Sequence, residues 1–420
     1  MRKGPHPVRF FFLVLPFGVA FGYIATALQY VATHHRDAKL DLSPETFAGV
    51  LASAYLLHTW KPLWAPVVDS TLSKRLWYLL ALILAMAGIV TLAAMPVDPQ
   101  HVRLLTAVVM ASQLPLTFLG MSCEAMLGNL PAEEKATAAG WYQAGNFLGL
   151  GLGGGLALDL ATRLPQPWIA GAALAAMMAP CALALIGMPE PQRHAESVSA
   201  AVRQLSRDVV GLVTTRIDGR WMLSMVGIAG LVIAISPVSA GAAGGLMTSA
   251  ADTWHASKGM VEFFQGWASG PISAAGALLG GWLSSRMDRR VAYALAGAAM
   301  ALTGVFMAFA PFAPWVFAVG AVAYGIFVGV AYACFCAFVL ETIGGGSVAT
   351  KYNLFASLAN GAISYMLLID GAALTRWGAR GLMLTDAGCT FAGILLVLAL
   401  VGVLRKLGGR AAEPVAVSST

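Results

Sequence analysis

The sequence predicts an all-α polytopic membrane protein, with twelve spanning helices arranged as two six-helix pseudo-repeats. Hydrophobic residues make up 58% of the 420 and charged residues only 11%, where a soluble globular chain carries about 25% charged residues. Twelve apolar runs come close to the roughly 20 residues an α-helix needs to cross a bilayer core. One long polar stretch, 189–220, divides those runs six and six.

In chain order, the first half places its spans at 10–32, 46–68, 76–95, 104–128, 136–161 and 168–187. The second half places them at 221–247, 260–285, 291–311, 315–340, 352–375 and 382–404. The expected organisation is an N-terminal bundle over 1–188, a cytoplasmic linker over 189–220, a C-terminal bundle over 221–406 and a tail over 407–420. The basic stretch before Phe10 is short and the apolar run after it outlasts a signal-peptide core, so it reads as the first span. Most of the 26 Lys and Arg residues fall on the side of the termini. The positive-inside rule therefore puts both termini in the cytoplasm. Within the linker, Val202, Leu205, Val209 and Leu212 recur at helical spacing, with Arg203 and Arg207 on the flanks of that stripe. That pattern suits an amphipathic helix on an anionic leaflet; a solvated linker with accidental periodicity is the other reading.

Several chemistries are set aside. The five cysteines, Cys123, Cys181, Cys334, Cys336 and Cys389, all sit inside apolar runs and read as packing residues. No Gly-x-x-x-x-Gly-Lys-Ser/Thr run marks a phosphate loop, and no His/Cys spacing suits zinc. Energy for uphill movement would then come from an ion gradient, most simply protons. The expected partners are a small-molecule substrate, protons and the lipid bilayer. No metal, cofactor, nucleic acid or enzymatic activity is expected, and the chain is expected to be monomeric.

The most informative stretch ends the second span: His58-Thr59-Trp60-Lys61-Pro62-Leu63-Trp64-Ala65-Pro66-Val67-Val68-Asp69. A Lys inside hydrocarbon is costly, so it faces a cavity or a partner, or else snorkels to the interface. Pro62 and Pro66 each remove a backbone donor, which is tolerated at that depth only against protein or water. His58 and Lys61 are three apart and share a helix face. They could hold an anionic substrate group together, or Lys61 could pair with Glu124.

The turns after spans 2 and 8 each join an acid to a basic cluster: Asp69 through Lys74 and Arg75, then Arg286-Met287-Asp288-Arg289-Arg290. These resemble the signature loops of the major facilitator superfamily, although Ser285 stands where the acid often sits and Asp288 is displaced. Within that superfamily, Lys61-Pro62-Leu63-Trp64-Ala65-Pro66-Val67-Val68-Asp69 is similar to a segment of the peptide/acetyl-coenzyme A/drug transporter group. That group includes AmpG-type muropeptide permeases and related siderophore permeases. Pro131-Ala132-Glu133-Glu134, Glu124-Ala125 and Ala349-Thr350-Lys351-Tyr352-Asn353-Leu354 add weaker likenesses, with Lys351 in place of Gln. The resemblance implies a carrier that rocks two halves about a central site, with Asp69, Arg75, Arg286, Asp288 and Arg289 in the gating loops.

Candidate proton-coupling residues are Glu124, Asp370 and Glu262, each an acid within or near the end of an apolar run. Two have a structural alternative, an ion pair for Glu124 and contact with water for Glu262. His58, Lys61, Gln143, Asn146, Tyr332 and Asn360 are the candidate wall of a substrate cavity. Gly145, Gly149 and Gly153, spaced by four, suit close approach of another helix. Trp267 and Tyr324 read either as stacking platforms for a ring or as ordinary packing.

The expected function is secondary active transport of a medium-sized polar solute by alternating access, as proton symport into the cytoplasm of a bacterial inner membrane. The resemblance favours a muropeptide-like sugar–peptide. A siderophore or acyl-coenzyme A permease, a proton-driven drug exporter and a non-transporting receptor or scaffold are the alternatives.

Overall fold

The computed structural model describes residues 6–34, 41–128, 130, 132–190, 197–217, 220–239, 241–342 and 348–410. Nearly all of them are helical. The first half begins with α1 (Arg9–Gly22), which runs through a π segment, Tyr23–Leu28, into α2 (Gln29–Thr33). The second span is not the single helix expected over 46–68. It is α3 (Pro44–Thr59) and α4 (Lys61–Ser70), broken at Trp60. Pro62 explains the break: in an unbroken helix its ring would strike the carbonyl of His58, whereas the first turn of a new helix accepts it. Next come α5 (Lys74–Ala94), α6 (Val102–Gly128), α7 (Ala132–Arg163) and α8 (Pro167–Met178), the last continued as a 3-10 turn to Leu185.

The linker does contain a helix, α9 (Val198–Val213), opened by the Ser197 side chain accepting from the Ala200 N–H. A feature absent from the sequence reading follows. Thr214–Ile217 (β1) and Arg220–Leu223 (β2) form an antiparallel hairpin, with Thr214 opposite Leu223. The seventh span therefore starts later than 221. It consists of α10 (Met225–Ile235) and α11 (Ala242–Ala250), parted around Pro237 and Gly241. The eighth is α12 (Lys258–Val261), a π segment Glu262–Trp267, and α13 (Ser269–Arg286). Then come α14 (Arg289–Phe309), α15 (Pro314–Thr342) and α16 (Val348–Arg410). The last holds spans 11 and 12, which meet at Gly378 (φ 65°, ψ −165°), a left-handed value that favours glycine.

Eight helical segments are long and apolar enough to cross a membrane, one of them spans 11 and 12 together. Spans 2, 7 and 8 are the interrupted ones, so the twelve segments of the sequence reading are all present and the chain is a multi-pass membrane protein. Both ends of the bundle chain lie on one face, here called proximal; the opposite face is distal.

The halves are zipped internally by glycine. In the first half, α1 lies along α7 so closely that a Cβ on Gly149 would stand 2.5 Å from the Leu15 carbonyl oxygen. Without a hydrophobic drive between helices in lipid, such backbone approach supplies packing energy.

Candidate functional site

The break at Trp60 re-aims the chain. Beyond it α4 turns Lys61 towards α6, where Nζ lies 2.5 Å from Oε2 of Glu124 and 2.6 Å from Oε1. Trp64, one turn on, donates its indole N–H to the Thr117 hydroxyl at 2.9 Å. One turn before Lys61, the His58 ring packs on Phe17 and Phe21 and lies near the Gln113 amide. Gln113, Thr117 and Glu124 share one face of α6 at helical spacing, so a single surface receives His58, Trp64 and Lys61. His58, Gln113 and Thr117 are buried. His58 Nε2 and Gln113 Oε1 have no hydrogen-bond partner among the described residues. Removing a charge from water costs several kcal/mol, and contact with both carboxylate oxygens is the geometry that repays it. Lys61 is thus paired, and the pairing alternative of the sequence reading is the one the structure contains.

Glu124 also looks towards the other half. Tyr142 of α7 and Tyr332 of α15 both lie within its electrostatic reach. The Gln143 amide faces the Tyr332 hydroxyl, and Tyr332 packs edge-on against Phe147 with ring centroids 6.2 Å apart. Tyr332 is nevertheless 41% exposed, so this part of the interface holds open space. Five expected residues, His58, Lys61, Glu124, Gln143 and Tyr332, thereby fall in one connected region. Asn146 and Asn360 are half-buried, and their side chains make no hydrogen bond or ion pair among the described residues. The Asn146 backbone carbonyl instead packs against Gly18, and Asn360 precedes Gly361, which approaches Thr59.

On the distal side the halves are sealed. Gln29 donates to the Ser249 hydroxyl at 2.8 Å, Ser364 to the Ala52 carbonyl at 2.9 Å, and the Glu45 N–H to Thr375 Oγ1 at 3.0 Å. His34 and Asp252 stand 3.4 Å apart. The two π segments meet here: the Thr26 hydroxyl donates to the Gln265 carbonyl at 3.1 Å. π segments misalign backbone groups and are frequent at functional positions; in this seam a side chain from the opposite half takes up a carbonyl of one. Glu262 opens that π segment, half-buried near the distal end and far along the chain from the proximal acids.

Asp370 lies fully buried in α16, and the carboxyl group facing it is Asp386, from beyond the Gly378 kink. Tyr324 of α15 donates its hydroxyl to Asp386 Oδ2 at 2.9 Å. Tyr324 is thus a packing residue, the second of its two readings, 2% exposed and bonded inside the second half. Asp386 went unmarked in the sequence reading. Its signal was available, because an acid inside an apolar run is a functional hypothesis by default.

In the proximal turns, Asp288 caps α14, its Oδ1 accepting from the N–H groups of Arg290 (2.9 Å) and Val291 (3.3 Å). Its displacement from the signature position thus has a local cause. Arg289 donates to the Ala337 carbonyl at 3.3 Å, and Arg286 lies over the Trp282 ring. In the first half Ser73 caps α5, its Oγ accepting from the Leu76 N–H at 3.2 Å, and Glu190 adds to it by accepting from the Lys74 N–H at 2.5 Å, with Arg75 Nε 3.9 Å away. Each carboxylate sits at the positive end of a helix. The side chains of Asp69, Glu133, Glu134 and Lys351 fall outside the described residues.

Against known proteins, the family model described as "Sugar (and other) transporter" matches residues 271–343. No curated protein matches the sequence. Among solved structures, that of a D-xylose–proton symporter superposes with a TM-score of 0.67 at 14% identity, over 93% of this chain and 96% of that one. The nucleoside transporter NupG gives 0.63 at 13% identity, over 94% and 98%. The chain therefore shares the fold of these two transporters, the major facilitator fold that its loops resemble.

Proposed function

We propose that this protein is a secondary active transporter that moves a medium-sized, sugar-containing polar solute into the cytoplasm together with protons. The observation that carries the reading is the Lys61–Glu124 pair, held at a helix break beside the open part of the interface between the halves. A cation and an anion whose mutual contact a ligand or a proton can replace give the two states of the site different affinities, as alternating access requires. The sealed distal seam and the open space beside Tyr332 support a state open towards the termini, and the positive-inside charge supports termini in the cytoplasm.

The sugar is supported from two directions. The second-span motif resembles muropeptide permeases, and the fold neighbours are named for xylose and a nucleoside; a muropeptide-like sugar–peptide remains the preferred substrate. Proton coupling is supported by acids inside spans, Glu124 and Asp370. Glu262 is a weaker candidate because of its distal position.

Uptake into proteoliposomes under an imposed pH gradient tests the reading, with anhydro-muropeptides, simple sugars, nucleosides, siderophores and acyl-coenzyme A as candidate solutes. The expected result is gradient-dependent accumulation of one sugar-containing class, abolished in Lys61→Ala. Accumulation of none of them, or uptake indifferent to Lys61→Ala, would overturn it.

A further inference from the structure

The linker helix α9 turns an apolar face outward. Val198 is 41% exposed, Val202 45% and Val209 36%. At 3.6 residues per turn these three valines fall within about 40° of arc, so they form one stripe. Beside it, Ala201 is buried and Leu205 half-buried. Gly211, on the opposite side of the helix, has nothing within 4 Å. A single exposed valine is ordinary, whereas an apolar stripe rimmed by polar residues marks an interaction surface.

The two ends of α9 fix where that stripe lies. Its last residue, Val213, accepts through its carbonyl from the Ser224 N–H at 2.8 Å. Ser224 in turn opens α10, its hydroxyl accepting from the Gly227 N–H at 3.2 Å. The hairpin β1–β2 thus doubles back and leaves the end of α9 beside the start of the seventh span. At the other end, Glu190 is bonded to the first turn of α5. Ser197 follows it seven residues later, within a chain reach of about 25 Å. Between these ties α9 packs on α4 of the first half and on α10 and α16 of the second. It lies at the level where spans leave the hydrocarbon on the proximal side.

At that level the membrane itself is the neighbour within reach of the stripe. α4, on which α9 packs, exposes Leu63 (72%) and Val67 (37%), so α9 adjoins a span whose own surface is apolar. A helix with one apolar side and a basic polar side settles in the interface plane, its apolar side among the acyl chains. Charge selects the kind of leaflet. Arg203 and Arg207 are exposed on the polar side of α9, where Arg207 donates to Gln204 Oε1 at 2.9 Å. Both stay within a Debye length of the headgroups, roughly 10 Å in ordinary buffer, so anionic lipid attracts them without contact.

We propose that α9 docks on an anionic lipid leaflet at the proximal side, with Val198, Val202 and Val209 seated in the leaflet and Arg203 and Arg207 drawn to its headgroups. Because α9 touches α4 of one half and α10 of the other, the docked helix bridges the halves from the membrane surface. This lipid site is separate from Lys61, Glu124 and the open space beside Tyr332.

The test uses the full-length chain, with its native cysteines replaced, in nanodiscs of phosphatidylcholine alone or with about a third phosphatidylglycerol. An environment-sensitive nitrobenzoxadiazole label is attached through Val202→Cys on the stripe or through Gly211→Cys on the opposite side. Quenching by a shallow lipid-borne nitroxide is expected for the label on the stripe and not for the other, with aqueous iodide giving the reverse. Lipid quenching on the stripe is expected to rise with phosphatidylglycerol. That rise should be lost in ~1 M salt, where the Debye length falls to about 3 Å. It should also be lost in the double variant Arg203→Gln and Arg207→Gln, which keeps the valines. Val198→Asp with Val209→Asp is expected to abolish lipid quenching in both lipids.

Equal iodide quenching of the two labels would show a solvated linker and overturn the proposal. A stripe label quenched by neither agent would show a face covered by protein, a second copy included, and would overturn it too. Lipid quenching indifferent to phosphatidylglycerol would do the same. All these substitutions lie outside the spans; if the valine variant does not fold, the arginine variant and the unaltered stripe still decide it. No solute or pH gradient enters the measurement, so its failure is distinguishable from failure of the transport reading.

Discussion

Lys61 Nζ lies within 2.6 Å of both carboxylate oxygens of Glu124, joining the second span just past its break to the fourth. The Lys61 side chain is 11% exposed and that of Glu124 is 32% exposed. The pair is therefore neither a surface ion pair of small worth nor fully shut away from water.

Removing one partner leaves the other charge half-buried, which costs more than removing both. Lys61→Ala is expected to destabilise the folded protein by about 2 kcal/mol, below the fully buried range because Glu124 keeps some water. Adding Glu124→Gln should restore part of that loss. Thermal unfolding of the single and double variants in detergent gives the coupling energy; additive effects would show that the pair is energetically idle.

Two glycines make opposite predictions. A Cβ on Gly153 would stand 2.0 Å from the Val19 carbonyl oxygen, with backbone on both sides unable to yield. Gly153→Ala is expected to cost at least about 3 kcal/mol, or to prevent folding, by forcing α1 off α7. Gly388 has nothing within 4 Å, so Gly388→Ala is expected to be neutral or stabilising by up to about 1 kcal/mol through helix propensity. Yield and melting temperature of the purified variants separate the two cases.

Acid sensitivity outside the spans is expected at the turn between α5 and α6. The His101 side chain beside Asp98 holds its carboxyl below the ordinary value of 3.8, helped by the N–H groups of Gln100 and His101. A carboxyl group depressed on folding contributes stability above its unfolded value, and that contribution is lost as pH falls through the folded one. Asp98→Asn should therefore be less stable than wild type at neutral pH, with the difference fading as pH falls below 3.8. A melting-temperature difference that stays constant through the acid range would contradict this.

Alternating access requires the distal seam to part. Gln29 and Ser249 are bonded across it at 2.8 Å, so cysteines at both positions should be joined by a short bifunctional thiosulfonate crosslinker. Transport is expected to fall at least about tenfold in the crosslinked protein and to return on reduction, as expected when a conformational step is blocked. Transport that continues with the crosslink formed would argue against movement at this seam.

Much of this architecture was legible in the residues. Apolar runs of spanning length, divided by a polar linker, specify twelve helices because lipid leaves the backbone no other way to satisfy its hydrogen bonds. Lys61, His58 and Glu124 stood out because charge inside such a run is costly, and Gly145, Gly149 and Gly153 announced a close neighbour by their spacing. The neighbour itself, α1, was not legible, since small residues say that something approaches and not what. The β-hairpin after α9 was hidden because Arg220–Leu223 adjoins an apolar run and takes its hydropathy.

The sequence by itself determined the class and the approximate places of the spans, because both depend on local composition in a solvent that penalises unsatisfied polar groups. Only the tertiary structure decided which charges meet. Lys61 and Glu124 are 63 residues apart, and Tyr324 and Asp386 are 62 apart; such pairs form where helices from distant parts of the chain cross. Hydrophobic periodicity says which face of a helix is buried and leaves open which helix buries it. The π-segment contact between Thr26 and Gln265, 239 residues apart, is of the same kind: backbone geometry on one helix completed by a side chain on another.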